Sequence, residues 1–121
     1  MKKIACNLFG ENQTIYFNIG RIMQLEALLK KPILRVITDG FGLTELTTAY
    51  SIGLQHEKTR KAQWYAAKMQ ELLDGGKVSY EDFVQPVMHA IIASGLLGRE
   101  AYEELFPEEK QEGIEEEVKN G

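Results

Sequence analysis

Covalent catalysis needs a thiol or hydroxyl beside a base, and this chain offers few bases. Its one cysteine is Cys6 and its two histidines are His56 and His89. Cys6 falls in a short extended stretch with no flanking motif, where a cysteine packs as a small hydrophobe. His89 shares a predicted helix face with Asp82 and Gln85, which places it on a solvated surface. His56-Glu57 falls at a predicted helix end, where an imidazole meets the last carbonyls favourably. Two separated histidines and one cysteine make no zinc spacing. The sequence holds no GxGxxG, no Walker loop and no HExxH, and Asp39-Gly40-Phe41-Gly42 reads as a plain loop. No catalytic, cofactor or metal residue is assigned, and the chain reads as non-enzymatic.

Residues suited to binding are easier to find. Lys58-Thr59-Arg60-Lys61 is a basic cluster between two predicted helices, an arrangement a helix-turn-helix reader of DNA could use. The helix that follows presents Ala62, Tyr65 and Met69 to a core, so DNA binding is the weaker use of it. Glu26 sits at the edge of an apolar helix face, where its carboxylate reaches Arg21 or Lys30 or meets a partner. Trp64 falls nearly opposite the Ala62, Met69 and Leu73 stripe of its helix. A tryptophan there packs on a second element of its own domain or on another protein. In the next helix, Phe83, Val87, Ala90 and Ile91 make the core stripe. Val84, Met88 and Ile92 widen it to about half the circumference, more than one core face needs. Trp64, Val84, Met88 and Ile92 are therefore the candidate protein-binding residues.

The elements that must hold these residues follow from patterning. Residues 3–9 and 14–19 read as extended segments, joined by a turn at Gly10-Glu11-Asn12-Gln13, and form an N-terminal hairpin. Helical spacing begins near Gly20 with Ile22, Leu25 and Leu29, and Pro32 ends it. Ile33 to Ile37 is apolar and of open type. A second helix runs from Thr44, as its N-cap, to about His56, with Leu43, Leu46, Tyr50, Gly53 and Leu54 facing in. Gly53 on that face allows a close approach, or is simply a tolerated core glycine. A third helix covers about 60–74 and stops at Gly75-Gly76. A fourth starts after Ser79 and runs to about Ser94, with Pro86 bending it. A short last helix covers about Arg99 to Leu105. The expected fold is mostly α: four to five helices with a short N-terminal β-hairpin, one domain over 1–107.

The 121 residues suffice for one core without disulfides or metal. No apolar run approaches ~18 residues, so no membrane span is expected. Asn7, Gly10, Glu11 and Asn12 interrupt any signal-peptide core, and a lone cysteine suits a reducing cytoplasm. Residues 108–121 hold six acids against two lysines, which leaves 12 of 14 basic and 12 of 18 acidic side chains in the rest. That acidic tail is too polar to bury and is expected to be mobile. A neutral body with an acidic tail gives no electrostatic reason to expect nucleic acid as the main partner. Homo-oligomerisation stays open.

The arrangement as a whole resembles a known family. The segments IYFNIGRIMQLEALLKKPILRVI, LTELTTAYSIGLQHE and LLDGGKVSYEDFVQPVMHAIIASGL are similar to small tail assembly chaperones of long-tailed phages and prophages. The nearest likeness is to the branch shared with gene transfer agents. It covers about residues 14–95 and rests on the run Ile22 to Leu29 with Leu25-Glu26, on Leu46, Tyr50, Leu54 and His56-Glu57, and on the late helix Ser79 to Ile92. The N-terminal hairpin has no match in it. The resemblance implies a non-enzymatic protein that binds the tape measure protein and the tail tube protein during assembly and is absent from the finished virion. It also implies a longer frameshifted form whose C-terminal part recruits the tube subunit. A small helical transcriptional regulator using Lys58 to Lys61 is the alternative.

Overall fold

The computed structural model describes residues 2–109. Two short strands open it. β1 (Ile4–Ala5) and β2 (Thr14–Ile15) pair antiparallel, with Ile4 opposite Ile15 and Ala5 opposite Thr14. The Cys6 N–H continues the ladder to the Gln13 carbonyl at 2.9 Å. The chain reverses at Asn12, left-handed at φ 58°, whose N–H donates to the Asn7 side chain at 2.9 Å. Asparagine tolerates that conformation better than most residues. The paired strands are shorter than the extended segments expected, and Asn18, still extended at φ −110° and ψ 179°, caps the first helix. Its side chain accepts the Arg21 N–H at 2.8 Å.

The first helix, α1 (Ile19–Leu29), buries Ile22 and Leu25 and ends at left-handed Lys30. Pro32 then prevents continuation. The apolar segment of open type is a helix, α2 (Ile33–Asp39), which buries Ile33 and Val36 one turn apart. Its start is stabilised from outside its own sequence, since the Glu26 carboxylate accepts the Ile33 N–H at 2.8 Å. Glu26 thus reaches neither Arg21 nor Lys30. A carboxylate at a helix N-terminus satisfies an orphan donor and meets the positive end of the dipole.

The central helix, α3 (Leu43–Gly53), packs against α1 and against the later helices α4 (Ala62–Asp74) and α5 (Tyr80–Ala93). Leu46, Ala49, Tyr50, Ile52 and Leu54 are all buried around it. Two expectations are corrected at its ends. It starts at Leu43 with Gly42 as N-cap, so Leu43 overhangs the core and is 61% exposed. It also stops at Gly53, and Leu54 to Glu57 form turns. Ser79 and Asp82 form a capping box at the start of α5, the Ser79 N–H donating to Asp82 at 2.8 Å. Pro86 lies inside α5. The buried Tyr50 hydroxyl donates to the Phe83 carbonyl, three residues before that proline. Pro86 has no N–H for the Asp82 carbonyl, so the Tyr50 donor reaches the helix at the carbonyl next to the one the proline leaves unpaired.

The last helix, α6 (Arg99–Leu105), packs on α5 and is followed by a helical turn over 107–109. Among the described residues six helices precede that turn, α2 being the one whose type the sequence left open. Of the acidic tail expected over 108–121, Glu108 and Glu109 are described, and 110–121 lie outside the described residues. Glu109 pairs with Lys2, whose ammonium also lies 4.5 Å above the Phe106 ring. No described helix is long and apolar enough to cross a membrane.

Candidate protein-binding surface

Trp64 is half-buried on α4, and its neighbours are internal. The ring meets Tyr65 edge-on at 5.0 Å and Phe9 of the hairpin loop at 6.5 Å. The Arg60 guanidinium lies 4.0 Å over its face and the Lys68 ammonium 5.7 Å away. Stacked cations and a loop phenylalanine together give an outward-facing tryptophan a place within its own domain. Val84, Met88 and Ile92 are half-buried along α5, with Val84 and Met88 packed against the core. The four predicted residues thus sit on two helices, each partly covered.

The most exposed large apolar side chains lie elsewhere. Of eight exposed large hydrophobics, Ile19, Met23, Leu28, Leu34 and Leu43 stand at 59–66% exposure. They come from α1, α2 and the start of α3, and Ala27 beside them is exposed too. Ile19, Met23 and Ala27 recur every four residues on the side of α1 away from Ile22 and Leu25. That second stripe is a legible helical signal. It is easily passed over when the first stripe already accounts for the core.

A polar cluster joins the hairpin to α1 and to the end of α3. Arg21 is 8% exposed. Its guanidinium lies 3.8 Å over the Tyr16 ring and donates to the Gly53 carbonyl at 3.1 Å and to His56 Nδ1 at 2.9 Å. A guanidinium has no lone pair to offer, so Nδ1 must be the acceptor and Nε2 carries the proton. Nε2 faces the Thr14 hydroxyl at 3.3 Å. The Glu57 carboxylate accepts the Thr14 N–H at 2.7 Å. Burial lowers the His56 pKa, and the Arg21 and Lys3 charges lower it further against a smaller opposing effect of Glu57. His56 is therefore a neutral brace in this cluster rather than a cap on helix carbonyls. Nothing local announces it, because Arg21 lies 35 residues away in sequence.

Chemistry at the remaining candidates is limited. Cys6 is 2% exposed, and burial raises its thiol pKa to about 11. A thiol so protonated is a poor nucleophile. Among the described residues no three His, Cys, Asp or Glu side chains gather to hold a metal. The basic cluster Lys58 to Lys61 lies in the connection from α3 to α4, with Arg60 turned onto Trp64 and its carbonyl accepting from the Ser51 hydroxyl. The chain matches no family model, no curated protein and no solved structure.

Proposed function

We propose that this chain is a phage or prophage tail assembly chaperone. It is a non-enzymatic protein that binds the tape measure protein and the tail tube protein in the host cytoplasm during tail morphogenesis. One observation carries the reading. Five large apolar side chains on α1, α2 and the start of α3 stay exposed although the core beneath them is closed. Apolar surface left out of a closed core suits a protein that covers the apolar faces of long helical partners until they assemble. The resemblance over residues 14–95 supports the same reading. The test is co-expression with the product of a long, helix-rich reading frame downstream of the gene. The two are expected to co-purify, and the long product is expected to precipitate when expressed alone. A long product that is equally soluble alone and is never retained by this chain rejects the reading.

A further inference from the structure

We infer that the outer face of α1 around Ala27 receives an apolar helix flanked by carboxylates, presented by another protein. For the partner's identity the inference rests on the chaperone reading. Shallow grooves flank α1 on both sides. One groove, of about 440 Å³, runs between α1 and the end of α3, with Ala27, Leu28 and Ile52 in its walls and Arg60 at its rim. The other, of about 450 Å³, lies over the α1–α2 turn, with Met23, Ala27 and Pro32 in its walls and Lys30 and Lys31 at its rim. The two grooves meet at Ala27, a small crest between the exposed Met23 and Leu28. Side-chain ridges of one helix pack into grooves of this kind on another, and a small residue at the crossing lets the backbones approach.

The charge around the grooves chooses the partner. Lys30 and Arg60 pair with no carboxylate among the described residues, nor do Lys58 and Lys61 in the loop that carries Arg60. Lys31 pairs with Glu45, and the Glu26 carboxylate is held by the Ile33 N–H. The rim thus presents cations with few competing acids. A second copy docked through the same face would oppose like charges across it. Duplex DNA would leave the apolar walls unfilled, since such interfaces are polar.

The probe is a fluorescent helical peptide with a leucine–alanine stripe flanked by glutamates, titrated with the full chain beside its lysine-flanked counterpart. The glutamate peptide is expected to bind at least about tenfold more tightly, with the gap narrowing as salt rises. Ala27→Arg puts a long cation on an exposed crest and is expected to remove binding without altering the thermal midpoint. Tyr80→Ala, at an exposed site on α5, is expected to leave binding unchanged. Equal binding of both peptides, binding that survives Ala27→Arg, or no binding at all overturns the inference. So does preferential sedimentation with phosphatidylglycerol vesicles, or a dimer that Ala27→Arg dissolves. Should Ala27→Arg still retain the tape measure protein on co-purification, this inference fails while the chaperone reading stands. Should the unaltered chain retain none, the chaperone reading fails and the peptide titration still decides this one.

Discussion

A methyl group placed on Gly53 would sit 2.6 Å from Ile15 Cγ1, 2.9 Å from its Cδ1 and 3.1 Å from Phe17 Cζ. The hairpin closes onto α3 at this point, since the Tyr16 N–H donates to the Gly53 carbonyl at 3.3 Å. In an open helix alanine would be favoured over glycine by about 1 kcal/mol. Here both hairpin side chains would have to shift in a filled core, and overpacking costs about 1–3 kcal/mol. Gly53→Ala is therefore expected to lower the urea-unfolding free energy by roughly 1–2 kcal/mol, and Ile15→Val beside it to restore part of the loss. A more stable Gly53→Ala would show that the hairpin yields freely. His56 gives a second test at this scale. Its pKa in the folded protein lies below its ordinary 6.5, so the unfolded chain binds the proton more readily. Stability contributed by neutral His56 is present above pH 6.5 and declines as pH falls below it. Urea titrations from neutral pH down through 6 are expected to show this decline, and His56→Gln is expected to flatten it. Identical slopes for the two proteins would remove His56 from the account.

At the scale of elements, α2 depends on a group in its neighbour. Glu26→Ala removes the acceptor for the Ile33 N–H, and a lost cap costs about 1 kcal/mol. Hydrogen exchange is expected to speed up in α2 before it does in α3. Uniform exchange across the two would mean that packing of Ile33 and Val36 alone holds α2. Tyr50→Phe similarly strips the outside donor from the Phe83 carbonyl and is expected to cost about 1–3 kcal/mol, read by urea unfolding. A loss near zero would mean that the carbonyl is satisfied within α5. These two contacts also mark what the sequence could and could not tell. The helices α4 and α5 were legible because their stripes, the Ser79 start and the Gly75-Gly76 stop are all local. The type of Ile33 to Ile37 was not, because β-branched residues fit strand or helix and the deciding carboxylate belongs to α1. Leu43 was misplaced inward because periodicity cannot tell a first turn that overhangs the core from one that sits over it. At the candidate surface, Trp64 was legible as an oddity of its helix. Its cover by Phe9 and Arg60 depended on how the hairpin loop and the α3–α4 connection fold back.

At the scale of the molecule, one core gathers side chains from the hairpin and from α1 through α5. Its deepest members include Cys6, Ile15, Phe17, Tyr50 and Phe83. Cys6 is thus a reporter for the whole fold rather than for the hairpin alone. Its reaction with a thiol reagent is expected to be slow in the native protein and to accelerate with urea in parallel with the loss of helical circular dichroism. Rapid labelling of the native protein would mean that the hairpin opens by itself, below the global unfolding energy.

The contacts of the hairpin set an order of events. β1 and β2 are made first in the chain, yet both pack on α5, which begins at Tyr80, far later in the sequence. Until α5 arrives, the two strands lack the helix they pack on, and a bare hairpin is marginal in water. Burial of Cys6 is then a late event in refolding, because a long loop must close before it is rewarded. The thiol becomes a clock on that closure. In pulsed thiol labelling of a refolding chain, Cys6 is expected to stay reactive while α3 and α4 gain their helix, and to fall silent only when the first strand meets the fifth helix.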